Sequence, residues 1–216
     1  MKAALFDVDK TLVTANTARL YVQWRMGRRE AGLSEFWLMT RTLLRYAVGA
    51  LDAEEAARAG FRTIVGYNEQ RMREECLGWY RSVVRPRISA HARREVERLL
   101  GAGVHCAILT SATPYVAEPL AEELGIPHVI CTRPEVANGV FTGTWEPPLC
   151  YGAGKVTRAK AWAAQLGVDL ARSTFYTDSI TDLPMLEAVG HPRVINPDLR
   201  LRRLAKQRRY PIEAWT

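Results

Sequence analysis

The sequence predicts an α/β fold in which a parallel sheet core is interrupted by an inserted helical segment. Short apolar runs alternate with amphipathic segments that end at glycine, which is the pattern of βαβ units. One stretch, from residue 14 to residue 85, has helical periodicity throughout and contains no segment typical of a strand. In addition, acidic and hydroxyl residues follow several of the apolar runs, at the sheet edge where open parallel sheets bind ligands.

The apolar runs predict the strands of a Rossmann-like parallel sheet. They cover residues 2–6, 105–109, 128–131, 173–178 and 192–196. Helices are predicted between them, because apolar residues recur at helical spacing and glycine ends most of the runs, over residues 91–100, 114–124, 156–166 and 182–189. Thr113 and Pro114 have the side chains expected at the cap and first position of the second of these helices. An Asn-Gly pair followed by alternating apolar residues predicts a hairpin over residues 138–151.

The helical segment predicts four amphipathic helices separated by Gly or Asn. They cover residues 17–26, 33–50, 53–66 and 68–84. The sequence Arg-Pro-Arg at 85–87 marks the return to the α/β pattern. We therefore predict a core domain made of residues 1–13 and 86–216, and a helical cap domain made of residues 14–85.

The composition favours a folded protein with an anionic partner. Hydrophobic residues make up 48% of the 216 residues, which is ample for a core, and the net charge is +7. Such a charge suits phosphate esters, nucleic acid or a membrane surface. Because the Arg residues are scattered over several segments, we expect no nucleic-acid partner. Contact of the basic segment at 200–209 with an anionic surface stays open.

The cysteines and the hydropathy pattern exclude two further classes. Cys76, Cys106, Cys131 and Cys150 have no CxxC spacing, so a zinc site is not expected. The apolar run before Asp7 is too short for a signal peptide, and no run approaches the roughly 18 residues that span a bilayer. We expect a cytoplasmic protein without stable membrane insertion.

Two acids follow the first predicted strand. Asp7 and Asp9 are two residues apart, so both can project into the crevice beyond the strand. Two neighbouring carboxylates are costly unless a cation joins them, and Mg²⁺ prefers carboxylate, water and phosphate oxygens. On its own, the pair could also consist of a turn-capping Asp7 and an exposed Asp9.

Three more polar sites follow the same logic. Thr110 and Ser111 lie between the second strand and a helix start, where hydroxyls and free backbone N–H groups bind anions. Lys155 follows a Gly-rich turn that lacks P-loop spacing, and it could neutralise a phosphate. Asp178 ends the fourth strand and Asp182 follows four residues later. Taken singly, each of these residues could instead cap a helix or face solvent.

Taken together, these motifs resemble those of the haloacid-dehalogenase superfamily phosphatases. The sequence DVDKT at 7–11 is similar to the first family motif, ILTS at 108–111 to the second, Lys155 to the third and DSITD at 178–182 to the fourth. All four occur in the family's order. The helical block after the first motif resembles the type I cap of subfamily IB, the phosphoserine-phosphatase-like branch.

The resemblance implies a role for each matching residue. Asp7 would be the nucleophile that forms an aspartyl-phosphate, and Asp9 would protonate the leaving alcohol and then activate water. Ser111, with Thr110 as second candidate, would hydrogen-bond the phosphoryl oxygens. Further implied roles are orientation of the first loop or phosphate binding by Thr11, and charge stabilisation by Lys155.

The resemblance also implies a cofactor and a small-molecule substrate. Asp7, Asp178 and the main-chain carbonyl of Asp9 would bind Mg²⁺, and Asp182 would support either the metal or Lys155. The substrate would be a phosphomonoester, with histidinol phosphate, phosphoserine-like compounds and lipid headgroup phosphates as candidates. Transfer of the phosphoryl group to an acceptor other than water, and a non-catalytic anion-binding module, are the alternatives.

The cap is expected to select the substrate. Asn16 lies where phosphoserine phosphatases tend to have an acid that reads the substrate's ammonium group, and Lys10 lies where many relatives have Gly. The candidate specificity residues are Asn16, Trp24 and Arg45.

Overall fold

The structure is a computed structural model that describes residues 1–27 and 52–215. The second predicted helix of the inserted segment, residues 33–50, lies outside the described residues, and so does Arg45. All five predicted strands of the sheet are confirmed, each within a residue or two of its predicted ends.

The core is a parallel sheet of six strands in the order β3-β2-β1-β6-β7-β8. These strands are β1 (Ala3–Phe6), β2 (His105–Leu109), β3 (His128–Ile130), β6 (Thr174–Thr177), β7 (His191–Ile195) and β8 (Ile212–Glu213). The first strand of the chain is central, with Phe6 opposite Ile108 of β2 and Tyr176 of β6. Because the three strands run in parallel and in register, the residues that follow each of them meet at one edge of the sheet.

Helices cover both faces of the sheet, so the alternate residues of β1, which point to opposite faces, are all buried. Ala4 and Phe6 belong to a core cluster with helices α4 and α5, whereas Ala3 and Leu5 belong to a second cluster with α6, α7 and α8. The helices are α4 (Ala90–Gly101), α5 (Pro114–Leu124), α6 (Ala153–Leu166), α7 (Leu183–Ala188) and α8 (Leu199–Arg208). A short 3₁₀ turn, Ile180–Asp182, precedes α7.

Three helices of the inserted segment are described, in agreement with the predicted periodicity. They are α1 (Thr17–Gly27), α2 (Ala53–Arg62) and α3 (Glu69–Trp79). The last of them continues through a π turn at Tyr80–Val84 and a 3₁₀ turn at Arg85–Arg87 into the core. Tyr21 of α1 packs edge-on against Trp79 at 5.2 Å between ring centroids, so the start and end of the segment are in contact.

The hairpin prediction was wrong in its placement. The two antiparallel strands are β4 (Pro134–Ala137) and β5 (Val140–Trp145), with Asn138 and Gly139 in the turn between them. Both turn residues have positive φ, which explains why the Asn-Gly pair forms the turn and does not begin a strand. The hairpin contacts the helical segment, since Glu69 N donates to Gly139 O at 2.9 Å.

The C-terminal segment forms a helix and a short strand. Leu201 and Ala205 of α8 are buried in the core, whereas Leu199 is 85% exposed. The basic segment at 200–209 therefore uses part of its apolar surface for packing in the core. Among the described residues, no helix combines the length and the apolar character needed to cross a bilayer.

Candidate active site

Four buried charged residues meet at the carboxyl edge of the sheet. Asp7 directly follows β1, and its backbone N–H donates to Tyr176 O of β6 at 2.9 Å. Asp178 directly follows β6, and Asp182 ends the 3₁₀ turn after it. Lys155 is the third residue of α6 and is only 2% exposed. The sheet register and the start of one helix thus bring together residues that are up to 175 positions apart in the chain.

Lys155 is the centre of this cluster. Its Nζ atom lies 2.8 Å from Asp182 Oδ2 and 3.1 Å from Asp7 Oδ1. The hydroxyl of Thr177 also donates to Asp182 Oδ2, at 2.6 Å. Of the two contacts that the sequence left open for Asp182, the structure therefore contains the one with Lys155.

Burial shifts the pKa values of the charged residues in this cluster. Burial raises the pKa of Asp7 to about 6, with Lys155 opposing the shift and Asp182 and Asp9 adding to it. Burial, with the neighbouring Asp7 carboxylate adding to it, raises the pKa of Asp178 to about 8. Burial lowers the pKa of Lys155, but Asp182 and Asp7 outweigh it, so the net shift is upward and the lysine is charged. Burial is thus the largest cause of the raised pKa values of Asp7 and Asp178, and the neighbouring carboxylates add to it.

The donor set at this edge fits a hard divalent cation. The described residues contain no group of three or more His, Cys, Asp or Glu side chains arranged to hold a metal ion. The predicted ligands need only two carboxylates, from Asp7 and Asp178, together with the main-chain oxygen of Asp9. All of these ligands are oxygen atoms, which Mg²⁺ prefers. A bound cation would also offset burial and the repulsion by Asp7, which are the two largest causes of the raised pKa of Asp178.

Asp9 is held by the start of α1. Its Oδ1 atom accepts hydrogen bonds from Thr17 N at 2.9 Å and from Thr17 Oγ1 at 2.7 Å. Its Oδ2 atom accepts one from Asn16 Nδ2 at 2.8 Å. Burial raises the pKa of Asp9, and the hydrogen bonds from Thr17 oppose this shift.

The backbone conformation of Lys10 explains why glycine is expected at this position. It has φ of 52°, a left-handed conformation that glycine adopts more readily than other residues. Its Nζ atom lies 3.7 Å from Asp178 Oδ2, and its side chain is about half exposed. Lys10 therefore adds positive charge at the mouth of the acidic cluster, and Asn196 supports the strained loop by donating from Nδ2 to Lys10 O at 2.9 Å.

The hydroxyl candidates differ in their exposure. Ser111 is exposed, whereas Thr110 is buried and its Oγ1 accepts a hydrogen bond from Ala112 N at 3.2 Å. Thr11 is fully buried, and its hydroxyl has no hydrogen-bond partner among the described residues. Thr113 occupies the cap position of α5 as predicted, but its side chain makes no capping hydrogen bond. Of the three predicted phosphate-binding residues Thr11, Thr110 and Ser111, only Ser111 is exposed.

The two remaining specificity candidates in the described residues lie in different places, and only Asn16 is next to the acids. Trp24 lines a separate cavity of about 400 Å³ in the helical segment, together with Glu74, Glu75, Gly78 and Ser82. Asn16 contacts Asp9 and is thus a neighbour of the acids, not a wall of that cavity.

Sequence reasoning missed three residues that support the site. Thr17 binds Asp9, Thr177 binds Asp182, and Asp198 accepts from Ile180 N at 2.9 Å while its own N–H donates to Asp178 O at 2.9 Å. Only Thr177 lies directly beside a motif residue. Thr17 and Asp198 stand at helix starts, where a hydroxyl or an acid is ordinarily interpreted as a cap.

The curated relatives cover nearly the whole chain. A protein of Streptomyces azureus named "Inhibition of morphological differentiation protein" is 34% identical over 97% of this chain and 77% of its own length. Phosphoserine phosphatase SerB1 of Mycobacterium tuberculosis is 31% identical over 97% of this chain and 70% of its own length. A histidinol-phosphatase of Neisseria meningitidis is 27% identical over 97% of this chain and 96% of its own length.

Solved structures share the fold. A protein of unknown function from Bordetella pertussis Tohama I has a TM-score of 0.89 and 32% identity, over 98% of this chain and 97% of its own. A phosphoserine phosphatase, solved as an analogue of its phospho-aspartyl intermediate, has a TM-score of 0.71 at 18% identity, over 99% of this chain and 92% of its own. Residues 4–187 match the sequence pattern of the haloacid dehalogenase-like hydrolases. The protein described here therefore belongs to the haloacid dehalogenase-like hydrolase family.

Proposed function

We propose that the protein is a Mg²⁺-dependent phosphatase that hydrolyses a small phosphomonoester through an aspartyl-phosphate on Asp7. One observation carries this proposal: Lys155 contacts both Asp7 and Asp182 at the sheet edge where Asp178 also ends a strand. A buried lysine beside the Asp7 carboxylate suits a site in which an anionic nucleophile must approach an anionic ester, because the lysine offsets the repulsion between them.

In the first step, Asp7 Oδ attacks the phosphorus atom, and the bond between phosphorus and the leaving oxygen breaks. Asp9 donates its proton to that oxygen, which takes the electron pair of the broken bond, so the alcohol leaves neutral. In the second step, Asp9 takes a proton from water, which attacks the phosphorus of the aspartyl-phosphate and regenerates the Asp7 carboxylate. The raised pKa of Asp9, caused by burial, supports its use as an acid.

The other candidates have supporting roles in the same proposal. Ser111, whose hydroxyl is exposed at the start of the loop, would donate to a phosphoryl oxygen. Lys155 would balance charge on Asp7 and the phosphoryl group, held in place by Asp182. Thr110 and Thr11 are buried, so we propose that they shape their loops.

Mg²⁺ would be held by Asp7, Asp178 and the main-chain oxygen of Asp9. When bound, it would neutralise the phosphoryl group and lower the repulsion of an incoming anionic substrate. The raised pKa of Asp178, which burial and Asp7 cause, supports a site that is completed by a cation.

The substrate is proposed to be a small metabolite that enters under a cap formed by residues 14–85. The names of the relatives from M. tuberculosis and N. meningitidis support phosphoserine-like compounds and histidinol phosphate as candidates. Lipid headgroup phosphates remain a third candidate, since the chain is basic.

Phosphate release from p-nitrophenyl phosphate and from a panel of phosphorylated metabolites tests the proposal. We expect release that needs Mg²⁺, stops with EDTA and falls by about 10⁴-fold or more in Asp7→Asn. The matched control is Asp169→Asn, which alters an acid that caps a distant 3₁₀ turn and should leave the rate unchanged. Equal rates in Asp7→Asn and wild type would refute the role of Asp7.

Two further measurements separate the mechanism from its alternatives. Mass spectrometry of acid-quenched protein should find the phosphoryl group on Asp7, in a form that hydroxylamine removes. Adding glycerol as an acceptor distinguishes hydrolysis, which yields only inorganic phosphate, from transfer, which yields glycerol phosphate.

A further inference from the structure

Asp9 receives three hydrogen bonds from two consecutive residues. Thr17 N and Thr17 Oγ1 donate to Oδ1, at 2.9 and 2.7 Å, and Asn16 Nδ2 donates to Oδ2 at 2.8 Å. A carboxylate has about four lone-pair positions. Three of them are filled here, so a single direction, on Oδ2, remains for a proton.

A further contact of Asn16 fixes the orientation of its side-chain amide. Its Oδ1 atom accepts from Arg19 N at 2.9 Å, and its main-chain oxygen accepts from Leu20 N at 3.1 Å, so Asn16 caps α1. The reverse orientation would set the amide NH₂ against a backbone N–H and the amide oxygen against a carboxylate. The cap therefore forces Nδ2 to face Asp9.

An acid at this position could accept the helix N–H but could not donate to Asp9. A serine or threonine could cap the helix but has no planar group with a donor and an acceptor on opposite sides. Asparagine performs both functions at once, which links the position of α1 to the direction of the Asp9 carboxyl plane.

We propose that Asn16 is a positioning residue that fixes the Asp9 carboxyl group so that Oδ2 carries the proton for the leaving group. This inference rests on the proposed function, in which Asp9 is the general acid. Asn16 then acts on the reaction through Asp9, which replaces its expected part in selecting the substrate. Because proton transfer depends on alignment, a carboxyl held at Oδ1 alone would deliver its proton less efficiently.

The dependence of the rate on the leaving group tests this inference. A leaving group that is a weak base, such as nitrophenolate, needs little protonation, whereas phenolate needs it more. Asn16→Asp keeps an acceptor for the helix cap and removes the donor to Asp9. We expect kcat/KM to fall by about 30-fold for phenyl phosphate and by about threefold or less for p-nitrophenyl phosphate.

The matched control is Asn68→Asp, the same change at the cap of α3, where Asn68 Oδ1 accepts from Arg71 N at 2.9 Å. It should leave both rates unchanged. Asn16→Ala and Asn68→Ala repeat the comparison without adding a negative charge, and thermal melting of each variant reports whether it is folded. Asp9→Asn is the reference variant. Its kcat/KM should fall further than that of Asn16→Asp, and again mainly for phenyl phosphate.

Each outcome bears on one of the two proposals. An equal loss for both substrates in Asn16→Asp and Asn16→Ala, or an equal loss in the Asn68 variants, would overturn the positioning role while leaving the phosphatase intact. Failure of the wild type to hydrolyse either substrate, or an Asp9→Asn variant without selectivity for the leaving group, would instead refute the proposed function.

Discussion

Lys155 Nζ lies closer to Asp182 than to Asp7, at 2.8 Å against 3.1 Å, although Asp7 is the proposed nucleophile. Both carboxylates are buried, and Asp182 also accepts a hydrogen bond from Thr177. Asp182, the more deeply buried of the two, therefore anchors the lysine. The contact between Lys155 and Asp7 is the longer of the two, which suits a carboxylate that is proposed to attack an incoming ester.

Replacing Asp182 should destabilise the protein. In Asp182→Asn, the buried Lys155 loses its nearest negative charge and keeps only Asp7. We expect a loss of about 3 kcal/mol in the free energy of unfolding, measured with urea. Thr177→Val removes a neutral donor to the same Oδ2 atom and an acceptor for the Ser179 N–H, and it should cost about 1 kcal/mol. Equal losses in the two variants would contradict the anchoring role.

The stability of the metal-free protein should fall as the pH rises. Burial, with Asp7 adding to it, raises the pKa of Asp178 to about 8 in the folded state, whereas an unfolded Asp titrates near about 4. Between these values the folded state holds a proton that the unfolded state has lost, so each increase in pH favours unfolding. Asp178→Asn removes this titration. The variant should exceed the wild type in stability by about 2 kcal/mol or more at pH 8 and by less at pH 5.

Thermal or urea unfolding at the two pH values, with and without Mg²⁺, provides the measurement. Mg²⁺ should stabilise the wild type at pH 8 and have little effect on Asp178→Asn. Asp169→Asn is the control and should behave as the wild type does. A stability difference between Asp178→Asn and wild type that does not change with pH would contradict the pKa of Asp178.

The turn before α6 should tolerate no side chain at Gly154. A Cβ at this position would collide with the backbone oxygen of Leu149, which cannot move without shifting the chain. We expect Gly154→Ala to cost about 2 kcal/mol or more and to lower phosphate release, because Lys155 is the next residue. In the control Gly78→Ala, near the end of α3, a Cβ meets no atom within 4 Å. That change should be neutral or stabilising by up to about 1 kcal/mol. Similar melting temperatures for the two variants would show that Gly154 has room for a side chain.

The sequence was sufficient for the sheet and for the acids at its edge. Asp7 and Asp178 could be predicted because each ends a buried apolar run, and parallel strands place such ends together. The sequence could not decide between the metal and Lys155 as the contact of Asp182, since a lysine at a helix start is ordinarily solvated and only the packing of α6 buries it. The strand Ile212–Glu213 is too short for any periodicity to appear.

The contacts of the hydroxyl and amide groups could not be predicted from the sequence, for a different reason. Thr17, Thr177 and Asn16 each have an ordinary local interpretation as a cap or a strand residue. Their bonds to Asp9 and Asp182 depend on how α1 and β6 lie relative to the loops, which is tertiary information. The left-handed conformation of Lys10 was hidden as well, because lysine gives no sign of positive φ.

The central place of the first strand has a consequence for the order of events during synthesis. The strand Ala3–Phe6 is synthesised about a hundred residues before one neighbour, His105–Leu109, and about 170 residues before the other, Thr174–Thr177. Until each neighbour has been synthesised, the corresponding edge of the apolar strand that precedes Asp7 stays unpaired. Pairing over such separations is slow and leaves strand edges open to aggregation, so nascent chains halted before residue 174 should depend on chaperones.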